Sequence, residues 1–173
     1  GPIHFRNLTL LPLLRREPSA PEPHYLLLEE AIHLGVARVT ELNGGTVPEL
    51  RFENMADRPV LLLDGEELIG AKQNRVLNLT ILAPAKQSIV IPVSCVEAGR
   101  WNMKSEDFKP AAHVMYSRAR AARSAQVTEP MRTTGTRRSD QSAVWEEIAA
   151  KACRMEAASP TQAMSALFER HAI

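Results

Sequence analysis

The chain is poor in the residues that mark several large protein classes. Only two of its 173 residues are cysteine, at positions 95 and 153, which excludes a disulfide-stapled scaffold. Aromatic side chains make up 5%, too few for a sheet that stacks single-stranded nucleic acid base by base. No apolar stretch approaches the roughly 18 residues a membrane-spanning helix needs, and no basic leader precedes an apolar segment. Charge of neither sign dominates: 21 Lys and Arg against 20 Asp and Glu leave +1, which excludes a wholesale nucleic-acid coat. The five histidines show neither His-x-His nor His-Glu-x-x-His spacing and the cysteines have no near partner, so no metal site and no cofactor are expected. The dinucleotide fingerprint Gly-x-Gly-x-x-Gly is absent, and Ser88 and Ser94 have no histidine in register for a serine triad. The expectation is a cytoplasmic protein with no membrane segment and no nucleic-acid partner.

What remains is an ordinary globular composition, 45% apolar and 24% charged, at a length suited to one domain with a helical appendage. Gly1-Pro2 looks like the remnant of a cleaved tag and is set aside. At the other end, Thr161–Ile173 stops without a glycine cap or proline, as a piece of a longer chain would. The texture changes once, near Trp101. Before it, short branched runs separated by turn residues predict strands at Leu8–Leu14, Val36–Leu42, Leu50–Asn54, Pro59–Leu68, Asn74–Leu82 and Ser88–Val96. One helix is expected over Tyr25–Gly35 and a hairpin turn at Leu42-Asn-Gly-Gly45. Strand spacing without intervening helices argues for antiparallel pairing. After Trp101, helices are predicted over Ala111–Val127, Asp140–Ala158 and Thr161–His171, the second capped by Asp140 and striped by Val144, Trp145, Ile148, Ala152 and Met155. The fold class is α+β: an antiparallel β-sandwich or half-barrel over residues 3–101, with helices of 102–173 packed on it as one domain.

Residues 104–138 hold eight Lys and Arg against Glu106, Asp107 and Glu129, a local +5. Arg118, Arg120 and Arg123 with the Thr133–Ser139 loop are candidates to face phosphate, or else form a solvated helix face. Gly65-Glu-Glu-Leu-Ile-Gly70-Ala-Lys72-Gln73 approaches Walker spacing, but Gln73 stands where a magnesium-holding hydroxyl belongs and Glu66 and Glu67 would repel phosphate. Cys95-Val-Glu-Ala-Gly-Arg100 imitates a rhodanese anion loop, which makes Cys95 a candidate nucleophile, although Glu97 inside the loop would raise the thiol pKa; the alternative is a buried structural cysteine.

The segment Asp64–Trp101 is denser in polar residues than strands require. If its strands pair in succession, the Gly65–Arg75 corner and the Cys95–Trp101 exit meet at one sheet edge. Glu66 or Glu67 would then be a general base or ribose acceptor, Arg75 and Arg100 anion forks, and Trp101 a stacking surface, with Lys72, Gln73, Asn74 and Glu97 completing the site. The alternative is a hairpin of mutual ion pairs with Trp101 capping the core.

Across Glu53–Asn78, which contains Gly65-Glu-Glu-Leu-Ile-Gly-Ala-Lys-Gln-Asn-Arg75, and across Ile91-Pro-Val-Ser-Cys-Val-Glu-Ala-Gly-Arg-Trp101, the sequence resembles a bacterial domain family. That family is named for its association with ADP-ribosylglycohydrolases and with the rhodanese-phosphatase superfamily. The resemblance implies a place near NAD or ADP-ribose metabolism and assigns no catalytic roles. Three readings follow. The first is a binding or accessory module for an ADP-ribose-like or nucleotide ligand, or an ADP-ribosylated protein partner, at Gly65–Trp101. The second is a hydrolase using Glu66 or Glu67, with a Cys95 thiol mechanism as its variant. The third is a protein-interaction domain whose helices pair a homodimer, with Trp145, Met103, Met115, Met131 and Met155 in core or interface.

Overall fold

A computed structural model describes residues 1–13 and 23–170. Among the described residues eleven strands and four helices follow in order: β1 (Ile3–Phe5), β2 (Leu8–Leu10), β3 (Leu26–Leu27), α1 (Leu28–His33), β4 (Ala37–Glu41), β5 (Glu49–Asn54), β6 (Val60–Leu62), β7 (Glu66–Gly70), β8 (Arg75–Leu77), β9 (Ile81–Ala83), β10 (Gln87–Cys95), β11 (Phe108–Val114), α2 (Ser117–Thr133), α3 (Gln141–Met155) and α4 (Ser165–Glu169).

Six strands form one antiparallel sheet in the order β11-β7-β8-β10-β5-β4. It curls into a half-barrel whose two edges approach each other. Thr40 of β4 forms a bridge with Asp107 just ahead of β11, and Arg38 Nε lies 2.6 Å from Asp107 Oδ1. The smaller sheet β3-β6-β9 and α1 close the concave side. Alternation fills that interior: Leu50 and Phe52 of β5 point in while Arg51 points out. Val39, Leu68, Leu77, Ile91 and Phe108 join them, with Leu28, Val60 and Leu62 from the closing layer.

The convex side carries a second core. Val76 faces it while its neighbours Arg75 and Leu77 face the interior, and Val76 and Val96 pack with Met115, Ala119, Val144, Ile148, Met164 and Leu167. Helix cover explains why β10 is buried on every residue from Ile91 to Cys95 whereas its start, Gln87–Val90, is not. Pro92, which has no N–H to give, sits where the partner of β10 changes from β5 to β8.

The expected strands at Val36–Leu42, Leu50–Asn54 and Ser88–Val96 appear as β4, β5 and β10 within a residue or two, and the Leu42–Gly45 turn joins β4 to β5. Others need correction. Pro59–Leu68 is two strands, β6 and β7, in different sheets: Gly65 at φ +86 turns the chain between them. Asn74–Leu82 likewise divides into β8 and β9. The helix expected over Tyr25–Gly35 shortens to Leu28–His33, because Leu26–Leu27 pairs in parallel with Val60–Leu61. Only Leu8–Leu10 of the first expected strand is strand; Leu14 lies outside the described residues, as does His171 of the last expected helix. The sheet does not end at Trp101. Phe108–Val114 pairs with β7 as an edge strand, a position that accepts Pro110 and the irregular register after it, and α2 starts at Ser117 rather than Ala111. Asp140 caps α3 as expected, its carboxylate accepting from the Ser142 and Ala143 amides.

Candidate functional site

The turn between β7 and β8 organises the site. Gly70 at φ +135 and Ala71 at φ +40 reverse the chain. A Cβ on Gly70 would lie 2.6 Å from Ser105 Oγ and 2.7 Å from the Asp107 carbonyl, so only glycine allows the 105–107 segment this close. Gln73, Asn74 and Arg75 leave the turn where β10 ends at Cys95, and the loop after Cys95 brings Glu97, Arg100 and Trp101 back over it.

Arg100 commits both terminal nitrogens there, and only its buried Nε has no hydrogen-bond partner. Its guanidinium donates to the Ala71 carbonyl at 2.6 Å, to the Gly70 carbonyl at 3.2 Å, to Asn74 Oδ1 at 3.2 Å and to Glu97 Oε2 at 2.6 Å. Glu97 also accepts from the Asn74 amide and from Thr161 Oγ1. Burial alone would push the Glu97 carboxyl up, but Arg100, Thr161 and the Asn74 amide outweigh it and hold the group below its ordinary value. The expected anion fork at Arg100 is therefore a staple that ties the 70–74 turn to the 97–102 loop.

On the interior side Arg75 is wholly buried, and burial draws its pKa down. Nη1 donates to the Gln73 carbonyl at 3.0 Å and to Gln73 Oε1 at 3.2 Å. Nε and Nη2 have no hydrogen-bond partner, and Nη2 is 4.0 Å from Glu41 Oε1, whose sister atom Oε2 is also buried and unpaired. The Lys72 amide donates to Glu41 Oε1, and the Lys72 ammonium reaches the Gly44 carbonyl. Above this pair lies Trp101, half-exposed, with Lys72 Nζ 5.2 Å and Arg75 Cζ 5.7 Å from its ring centroid. The Cys95 thiol is buried beside Gln73 Oε1 at 3.1 Å, and burial pushes its pKa up despite a hydrogen bond with the Glu97 backbone and the Arg75 charge. A thiol so placed is a weak nucleophile.

The structure thus brings Lys72, Gln73, Asn74, Arg75, Cys95, Glu97, Arg100 and Trp101 together. It does not bring the two glutamates to Arg75. Glu66 sits at the far end of β7, its carboxylate accepting from the Leu63 amide at 2.8 Å, and burial raises its pKa. Glu67 points to the convex side, wholly buried, 2.6 Å from His113 Nε2 and accepting from Asn74 Nδ2. Burial raises its pKa against the pull of His113 and Asn74. His113 stacks on Phe168 at 3.8 Å and borders a largely apolar groove of about 460 Å³ with Tyr116, Lys151, Met155 and Leu167. Asn74 joins the two halves, holding Glu67 with its amide and Arg100 with its carbonyl.

The carboxylate that does face Arg75, Glu41, carries no motif and looks in sequence like any strand-end polar residue. His113 is likewise missed, because its partner lies 46 residues away. The three arginines of α2 expected to face phosphate are engaged by side chains instead: Arg120 and Arg123 both hold Asp64, Arg123 also Asn78, and Arg118 pairs with Glu147. Arg137 and Arg138 instead line a cleft of about 530 Å³ with Glu49, Val90 and Pro92. Among the described residues no group of three or more His, Cys, Asp or Glu could hold a metal ion, and no helix is long and apolar enough to cross a membrane.

Residues 1–172 match the ARG and Rhodanese-Phosphatase-superfamily-associated Protein domain, ARPP-1. The chain belongs to the ARPP-1 family. The name links the ARPP-1 domain to ADP-ribosylglycohydrolases and the rhodanese-phosphatase superfamily, an accessory position beside those enzymes. Neither a curated protein nor a solved structure matches the chain.

Proposed function

We propose that this ARPP-1 domain is an accessory binding module that takes a nucleotide of the ADP-ribose type at the mouth of the half-barrel. One observation carries the reading: beneath half-exposed Trp101, wholly buried Arg75 has no hydrogen-bond partner for Nε or Nη2, the latter held only by a 4.0 Å ion pair to Glu41, whose Oε2 also lacks a partner. A buried group left unpaired is costly, and a ligand that supplies its partner recovers that cost on binding. Phosphate oxygens suit Arg75 and Lys72, a base suits the Trp101 face, and ribose hydroxyls suit Glu41. Arg100, locked to carbonyls and Glu97, supports the loop that carries Trp101 and does not reach the ligand.

The arrangement favours binding over hydrolysis. Glu67 and Glu66 lie away from Arg75, and the buried Cys95 thiol is disfavoured as thiolate. A carboxylate–imidazole pair does exist, Glu67–His113, but it opens on the apolar groove instead.

Thermal shift and Trp fluorescence titration with ADP-ribose, AMP and inorganic phosphate test the reading, since a ligand that binds only the folded state raises the midpoint. ADP-ribose is expected to raise it, with Trp101→Ala and Lys72→Ala each weakening affinity about tenfold, the size of one stacking or charge contact. A folded protein whose midpoint ignores all three ligands at millimolar concentration overturns it.

A further inference from the structure

The N-terminal hairpin stands apart from both cores. β1 and β2 pair with Ile3 opposite Leu10, His4 opposite Thr9 and Phe5 opposite Leu8. By strand alternation Ile3, Phe5, Leu8 and Leu10 share one face, while His4 and Thr9 share the other and hydrogen-bond at 3.0 Å. The hairpin is therefore amphipathic, yet each of its four apolar side chains leaves more than half its surface exposed. A lone two-stranded hairpin is at best marginally stable in water, and one with an uncovered apolar face needs something to lie on.

A matching surface exists on the same chain. The closing sheet β3-β6-β9 aligns Leu27 with Leu61 and Leu61 with Leu82. Val60 and Leu62 point into the core, so Leu61 and its two neighbours form a row on the outer face, extended by Leu63. Leu27 and Leu82 are about half exposed. Two apolar sheet faces of this kind pack at the ordinary spacing of about 10 Å. In the single chain neither covers the other.

We infer that two copies of this chain associate by exchanging their N-terminal hairpins, the Ile3–Phe5–Leu8–Leu10 face of each lying on the Leu27–Leu61–Leu82 row of the other. A second copy carries both halves of the match, and one two-fold axis satisfies both copies at once. Stable interfaces bury about 800 Å² per partner, and each copy contributes to this one twice, once with its hairpin face and once with its leucine row. A net charge of +1 raises little electrostatic opposition to self-association.

Sedimentation velocity on the full 173-residue chain, over a concentration series, is the test. The expected result is a species of twice the 19.2 kDa chain mass that dissociates on dilution. Phe5→Asp and, separately, Leu82→Asp should each give monomer with unchanged circular dichroism. An equimolar mixture of the two variants should recover dimer, because one of the two exchanged contacts is then intact on both sides. A wild-type monomer at all concentrations overturns the inference whatever the variants do. So does a dimer that survives both substitutions, which would place the interface elsewhere, or a mixture that stays monomeric, which would mean that the two substituted surfaces do not meet each other across the axis.

Discussion

Among single residues, the buried polar groups around Asn74 make the sharpest claims. Cys95 lies in the interior beside Arg75 while Cys153 is exposed. One thiol per chain should therefore react rapidly with a disulfide reagent at neutral pH, and the second only after denaturant is added. Fast labelling of both would show that the mouth of the half-barrel opens. Glu97 and Glu67 predict opposite pH behaviour. The folded pKa of Glu97 is depressed, so its stabilisation is present above about pH 4.3 and lost as pH falls through the folded value. Glu97→Gln leaves Arg100 without its counter-charge and should cost about 3–5 kcal/mol at neutral pH, a gap that narrows in acid. The folded pKa of Glu67 is raised, so its contribution is fully present below about pH 4.3 and lost as pH rises through the folded value. Glu67→Gln should therefore fare better against wild type as pH rises. Urea unfolding across this range reads both signs.

At the scale of elements, α2 shows how a helix without a wide apolar stripe is held. Its buried residues are Ala119, Arg123 and Val127. Arg123 is buried and bonds both Asn78 Oδ1 and Asp64, whereas Arg120, half-exposed, reaches Asp64 from the rim. Arg123→Ala should destabilise by about 3–5 kcal/mol because Asn78 and Asp64 lose a buried donor, but Arg120→Ala by no more than about 1 kcal/mol. Equal effects in urea denaturation would mean that α2 is anchored by its alanines and valine instead. The sequence makes Arg118, Arg120 and Arg123 look alike, because the carboxylates that distinguish them lie 29 to 59 residues away. The same limit hid β11. Lys109, Pro110, Ala111 and Ala112 are poor strand formers, and only the open edge of β7 makes a strand of them. By contrast α3 was plain, because a cap and an apolar stripe are local features.

For the whole molecule the notable fact is that two cores share one sheet. Val76 and Leu77, adjacent in β8, belong to different clusters, and β10 lies against both the interior and α3. Neither core is complete without the other's strands, so the chain should unfold as one unit. In Trp101→Phe, Trp145 of α3 is the sole indole, and its fluorescence transition in urea is expected to coincide with the far-UV dichroism transition. A separate, earlier loss of the Trp145 signal would show that the helices are a detachable layer.

The sequence by itself determined the α+β class, antiparallel pairing in the main sheet, the strands β4, β5 and β10, the cap of α3, and a segment dense in polar side chains, Asp64–Trp101, from which Glu66 and Glu67 turn away. Each is written in local alternation, turn chemistry or density along the chain. Tertiary structure decided which of those polar groups remain free. Arg75 and Arg100 have the same side chain and the same apparent promise. Arg100 commits both terminal nitrogens to the carbonyls of a turn and to Glu97 and leaves only Nε without a partner, whereas Arg75 points into the interior and leaves both Nε and Nη2 without a hydrogen bond. Curling of the sheet also brought Glu41 opposite Arg75 and turned Glu67 toward His113, since adjacent residues of a strand face opposite sides and only the partners on each side tell them apart.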